Sequence, residues 1–456
     1  MLDAHRSRST WLVCAVIATA ARLARADPAP PPGEESGRID DDAGDSPGRV
    51  AARGVLFVPR LVADAVMYPI DAGISTDNRY DISGQIQDWL TFDDNRGSIV
   101  PLATWETGLG FAAGARVTHS DLFGAGEHAT AQATYGGTYR AGLYGAIDTG
   151  HRLGRLRLGV FGNFERLPKY PFHGIGNESN DTDEEMVAAP INAFSNDTSV
   201  ESYFRYQEIR TGATADLWLG DDTHVYLRES FAQLEYTHSS NAPMVDVVYD
   251  PMTLVGFGDE TNHLYTEGEL RWDTRRAVSE WEPANVHAAG SLVSVVGGYV
   301  RQWELPSFWH YGAELQHYVR IGKGPRVIVA RFHGEAVTGN IADVPITELP
   351  MLGGGTFLRG YAFGRFRDRI AAVGSLQYTW SLMPYASAFV FTDVGRVYRD
   401  YSDLTLSGLH MGFGVGLDLY AKTSFIADLM LGSSLDGGIA VTAEFTPVLD
   451  QRPRWR

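Results

Sequence analysis

Two groupings of residues in this sequence could do chemistry. The first is "GGGTFLRGYAFGRFRDR", residues 353 to 369, which sets Arg359, Arg365, Arg367 and Arg369 among Gly353, Gly354, Gly355, Gly360 and Gly364. A guanidinium makes planar, bidentate hydrogen bonds to carboxylates or phosphates, so this loop is suited to grip an acidic wall or to meet lipid phosphates. The second is a candidate nucleophile. His238-Ser239-Ser240 and His119-Ser120-Asp121 put imidazole and hydroxyl side by side. Neighbours along a strand point to opposite faces, so adjacency alone builds no relay. There is no G-x-S-x-G elbow, H-E-x-x-H helix or phosphate-binding loop, and the 13 histidines show no ligand spacing. The sequence reads as non-enzymatic, without cofactor or metal, and a lipid-modifying activity stands as an alternative. Asp94, Asp181 and Asp183 admit either calcium between loops or an ordinary solvated charge run.

The rest of the chain bears on what could position such a loop. It has 456 residues and a formal net charge of −18, which disfavours a nucleic-acid partner. Aromatic content of 11% together with 50 glycines suits many strands and tight turns. Residues 1–26 read as a secretory signal: Arg6 and Arg8, an apolar run from Trp11 to Ala20, then Ala24-Arg25-Ala26. Cys14, the only cysteine, lies inside it, so the exported chain is expected to lack disulfides and thiolate sites. Residues 27–53 are Pro-rich and acidic, the composition of a linker. Over 54–75, Val58, Leu61, Val62, Ala65 and Val66 fall at helical spacing. They predict a short amphipathic helix, either packing in place or lying at the membrane surface or a barrel mouth.

No later stretch is apolar enough for a membrane-spanning helix, which leaves a soluble exported domain or a closed barrel. From residue 97 the period becomes two. Met411, Phe413, Val415, Leu417 and Leu419 share one face, and Gly412, Gly414, Gly416, Asp418 and Tyr420 the other. "GIAVTAEF" and "YGAELQHYVRI" repeat the pattern. Sixteen such segments predict an all-β fold, a 16-stranded antiparallel transmembrane barrel over 97–446, with 447–456 as a tail. Long connections after the fifth, seventh, ninth, eleventh and thirteenth strands would alternate with short ones such as "GDD" at 220–222.

The loop also carries a family likeness. "LGGGTFLRGYAFGRFRDR" resembles the sixth-loop motif of the BamA/TamA superfamily of outer-membrane barrels (bacterial surface antigens), with Leu358-Arg359-Gly360-Tyr361 matching its tetrapeptide. "FVFTDVGRVY", residues 389–398, is similar to the following motif, from Phe389 through Asp393 at its acidic position. Softer matches are "DTRRAVSEWEP", "FHGIGN" and "GVGLDL". The resemblance implies that the loop folds into the lumen. There Arg359 would be held by Asp393, with Gly360 and Tyr361 beside it and Gly353, Gly354, Gly355, Arg367 and Asp368 in support. Gln377 stands where members commonly carry a second acid. The stretch before the first strand is too short for a POTRA domain plus a linker, so a POTRA-less member is expected.

The family implies a role in protein insertion or translocation, or in outer-membrane homeostasis, in the outer membrane of a Gram-negative bacterium. Its partners would be lipid and unfolded or outer-membrane protein substrates, with a homo-oligomer left open. The short closing strand, opening with Gly437 and Gly438 and ending near Phe445, fits the family's lateral seam and equally a plain short strand. A passive pore is the other reading, in which Glu267, Glu269, Glu314 and Asp418 would favour cations.

Overall fold

The computed structural model describes residues 90–445 apart from 95, 179–189, 196–197, 278–287, 323–324, 384–385 and 422–423. The predicted signal, linker, amphipathic helix and tail, and Asp181 and Asp183, lie outside the described residues.

Among the described residues sixteen long strands close into one antiparallel barrel. They are β1 (Gly97–Glu106), β2 (Gly110–His119), β3 (His128–Tyr135), β4 (Ala141–Asp148), β5 (Leu156–Phe172), β6 (Ser202–Trp218), β7 (Thr223–His238) and β8 (Glu260–Asp273). The circuit continues with β9 (Ala288–Gln302), β10 (Phe308–Arg320), β11 (Arg326–Val337), β12 (Ile370–Met383), β13 (Ala386–Tyr398), β14 (His410–Ala421), β15 (Ser424–Ser434) and β16 (Ile439–Phe445). Each strand pairs with the next, and β16 returns to β1. Closure removes the sheet edges that lipid could not satisfy, apart from a short stretch of β1 at the seam among the described residues.

The period of two becomes an inside and an outside. In β13, Phe389, Phe391 and Asp393 are buried while Val390 between them is exposed. Leu143, Val160, Leu227, Leu270, Val295, Leu376 and Val415 are all about half exposed or more, an apolar band around the waist. In water such a band would be a liability; against lipid it is the solvent-facing surface. Exposed Trp303 and Trp309 flank one rim and exposed Trp218 and Trp272 the other, as aromatic girdles do.

The connections alternate as expected, with two differences. The link after β9 is only residues 303–307, so no long loop arises there. Strand β5 runs to Phe172, beyond residue 166 where the alternating segment is expected to end. The ladder slips its register between Leu167 and Tyr170, where Pro168 falls, and Pro171 is paired with Tyr203 beyond Arg166, where the ladder to β4 has ended.

The long connections at one rim pack on one another. Phe172, Val200, Val248, Tyr249, Ile346 and Leu349 form a fully buried apolar cluster, joined by Ile175, Ala193, Val245, Leu254, Val337 and Val344. Tyr249 ties it with two bonds, its hydroxyl donating to the Val200 carbonyl and accepting from the Val200 amide, both at 3.0 Å. The cluster is a second core, and it covers the rim from which residues 351–369 descend.

Candidate functional site

Arg359 and Asp393 meet. The Asp393 carboxylate faces inward from β13 and is fully buried. Its Oδ2 accepts from Arg359 Nε at 2.9 Å and from the Arg359 backbone amide at 2.8 Å. Its Oδ1 accepts from Arg359 Nη2 at 2.8 Å. The third nitrogen, Nη1, donates to Gln377 Oε1 at 2.7 Å from β12, whose own amide donates to Thr379. Every guanidinium nitrogen therefore has an acceptor, the condition under which burying a charge is tolerable. The guanidinium also lies 3.9 Å above the Phe391 ring. The sequence motif points to Phe389, but that residue sits one inward position earlier on β13 and packs on Gly416 instead.

The loop backbone lies directly on the wall. Leu358 has φ +53° and is fully buried, and Gly360 has φ +102°. A Cβ on Gly360 would fall 2.3 Å from the Ser433 carbonyl oxygen, and one on Gly412 1.7 Å from the Arg359 carbonyl oxygen. No side chain fits at either place, so β14 and β15 present a bare backbone groove. The alternation 412, 414, 416 was visible in sequence only as a glycine face; what lies on it was not.

Beyond Gly360, the Tyr361 hydroxyl donates to Asp436 Oδ2 at 2.5 Å, and His410 Nδ1 lies 2.9 Å from the same oxygen. Phe366 stacks on His410 with centroids 4.0 Å apart. The Asp436 carboxyl is partly desolvated, which opposes ionisation. The bonds from Tyr361 and His410 outweigh this and hold it below the usual carboxylate range. Sequence reading passed over Asp436, His410 and Phe391.

The other arginines do not reach out to phosphate. Arg367 is fully buried, donating to the Ile346 carbonyl at 2.5 Å and to Met351 Sδ at 3.6 Å, and residues 366–367 pair with 351–352. Arg365 is buried and donates to Ser199 Oγ at 3.0 Å. Arg369 bonds Asp400 at 2.7 Å, and buried Asp368 accepts from Arg399 at 2.9 Å. Gly353 donates to Phe357 and Gly354 to Tyr361, both backbone to backbone. Gly355 donates to Glu106 Oε1 at 2.6 Å.

Where β16 meets β1 the ladder runs only from Ala103↔Phe445 to Glu106↔Thr442, whereas on its other side β1 pairs with β2 from Gly97 to Glu106. Thr91 and Phe92 pair with Ser98 and Gly97, leaving 99–102 without a strand partner on the seam side among the described residues. Gly437 and Gly438 are not in the strand as expected. Both have positive φ and make the turn before Ile439.

The nucleophile candidates separate. Ser239 is buried and donates to the Pro168 carbonyl at 2.8 Å, while exposed His238 bonds Asp246. Ser120 donates to the Arg96 carbonyl, and His119 faces Asp93. Asp94 is exposed, and no group of three or more metal-ligating side chains occurs among the described residues. Three of the acids proposed for a cation pore are engaged, Glu267 by Arg228 and Tyr265, Glu269 by Ser294, and Glu314 by Arg331 and His333, while Asp418 is buried on β14 opposite Asp428 of β15.

A family model described as the Omp85 superfamily domain matches residues 121–427. Among solved structures, the chain is similar to BamA from Haemophilus ducreyi lacking POTRA domains 1–3. The TM-score is 0.53 and the identity 13%, over 77% of this chain and 70% of that one. It is also similar to CdiB from Acinetobacter baumannii, with TM-score 0.48 and 9% identity over 76% of this chain and 59% of that one. CdiB from Escherichia coli gives TM-score 0.48 and 11% identity over 76% and 62%. No curated protein sequence matches the chain.

Proposed function

The chain belongs to the Omp85 superfamily, and on that premise we propose that it inserts or translocates protein chains at the bacterial outer membrane through the seam between β1 and β16. The observation that carries this is the seam itself, which among the described residues runs only from Ala103↔Phe445 to Glu106↔Thr442 and leaves 99–102 of β1 as a backbone edge. An unpaired edge is a template to which an incoming strand can add by main-chain hydrogen bonds. Residues 1–26 would be the export signal, 27–53 a linker and 54–75 a helix at the periplasmic side. The rim carrying the long connections would face outward.

In this reading residues 353–369 are the sixth extracellular loop, held in the lumen by the Arg359–Asp393 pair. The loop occupies the bore, and its own bonds keep it there. This weighs against a passive pore, as does the pairing of Glu267, Glu269 and Glu314 with neighbouring donors. The chemistry we assign is exchange of backbone hydrogen bonds, with no covalent step.

Trp105 and Ala443 face each other across the seam, so Trp105→Cys with Ala443→Cys can lock it. The locked barrel, reconstituted in liposomes, is given a urea-unfolded outer-membrane barrel as substrate. Insertion should stop on oxidation and return with dithiothreitol. Equal insertion in both states would overturn the seam as the route, and absence of insertion by the unmodified barrel would overturn the activity.

A further inference from the structure

The loop also grips the seam, at a place remote from the Arg359 pair. Glu106 is the last residue of β1 and is opposite Thr442 of β16. Its Oε1 accepts the Gly355 amide at 2.6 Å. Gly355 itself lies against the other strand, where a Cβ would fall 2.9 Å from Thr442 Cγ2. One residue later, the Thr107 carbonyl accepts the Phe363 amide at 3.1 Å. Thr107 is simultaneously joined to β16. Its amide donates to the Val441 carbonyl at 3.1 Å, and its hydroxyl accepts the Val441 amide at 2.8 Å.

Two amides of one loop thus hold the end of β1 at the point where β1 is hydrogen-bonded to β16. The same segment is braced internally by the Gly354 amide donating to the Tyr361 carbonyl at 3.0 Å. Its far side is anchored to β13 through Arg359 and to the turn before β16 through Tyr361 and Asp436. The chain from Gly354 to Phe363 therefore bridges β13, the β15–β16 turn and β1, spanning the seam from within.

We propose that Glu106 is a positioning residue that latches the seam. Its carboxylate ties the loop backbone to β1 beside Thr442, so the seam parts only when the loop lets go of Glu106. The purpose rests on the insertion reading given above, but the latch itself rests on geometry. An amide that loses its acceptor in a partly buried place is left unsatisfied, which costs more than the net worth of an ordinary hydrogen bond. Loss of the Glu106 bond should free the strands it steadies, because seam amides exchange with solvent through local opening.

The test is hydrogen–deuterium exchange of the purified full chain in detergent, without substrate. In Glu106→Ala, the amides of 103–106 and 441–445 should exchange about tenfold faster or more, the scale of one amide left without its acceptor. Those of β6 and β7 should keep their unmodified rates. Glu106→Gln retains an acceptor oxygen and should restore most of the protection, which a merely structural charge at this place would not do. If Glu106→Ala fails to fold, Gly355→Ala sets a methyl against Thr442 with Glu106 intact and should produce the same local loosening. Unchanged exchange at the seam, or an equal rise in β6 and β7, overturns the latch. Either result leaves the insertion assay free to stand or fall separately.

Discussion

The Asp393 carboxylate takes three hydrogen bonds from Arg359, two from the guanidinium and one from the backbone amide of the same residue. A pair that engages both the side chain and the main chain of one residue fixes the path of the loop as well as its charge. Arg359 cannot rotate away without leaving a fully buried carboxylate unpaired.

Asp393→Ala should therefore be costly. Removing one member of a buried ion pair leaves the other uncompensated, at about 3–5 kcal/mol. The expected outcome is a lower temperature for loss of the fast-migrating folded band in heat-modifiability gels. An unchanged transition would rule out a stabilising pair.

Gln377→Leu should cost less. It removes the single neutral acceptor of Arg359 Nη1 and spares the bonds to Asp393, so about 1–3 kcal/mol is expected. Urea unfolding in detergent should rank the variants as unmodified, Gln377→Leu, Asp393→Ala in falling stability.

Gly412→Ala probes the groove rather than the charge. Its Cβ would sit 1.7 Å from the Arg359 carbonyl oxygen, a clash with backbone that no rotamer relieves. The barrel strands should still close, but residues 353–369 should be displaced. Limited proteolysis should then cut within the loop, while the unmodified chain resists.

The Tyr361–Asp436–His410 cluster should be acid-sensitive. The folded Asp436 carboxyl titrates below its ordinary range. Its contribution is accordingly complete above the unfolded carboxylate pKa and is lost as pH falls through the folded value. Proteolytic susceptibility of the 435–438 turn should rise in that acidic window. In Tyr361→Phe, which removes a bond worth about 1 kcal/mol, the rise should begin at higher pH.

A single-channel recording addresses the bore. With the loop in place, the purified barrel should give small, flickering or no openings. Asp393→Ala should give larger and longer ones. Large steady conductance in the unmodified protein would favour a pore.

Strand number and facing were legible in the sequence because lipid and lumen impose a strict alternation of period two. Phe413 and Val415, with Leu315, Val319 and Val441 of the other two alternating segments, lie on the exposed face, and all sixteen segments became strands. The loop was legible too, since glycines and arginines at such spacing have few uses, and the partner carboxylate stood in a recognisable motif. Strand ends were harder. Pro168 and Pro171 normally stop a ladder, but a slipped register at Pro168 and a ladder on one side only at Pro171 let β5 carry them.

What the residues determined by themselves was local: which side chains face out, where turns fall, and that Arg359 needs an acidic acceptor. Only the closed tertiary structure decided which surfaces meet. Gly412 and Ser433 accept the loop because β14 and β15 are neighbours there, and Phe391 rather than Phe389 lies under the guanidinium because of where the loop descends. Glu106 and Gly355 are 249 residues apart in sequence. They touch because barrel closure brings the first strand back beside the last, and no periodicity in the chain encodes that distance.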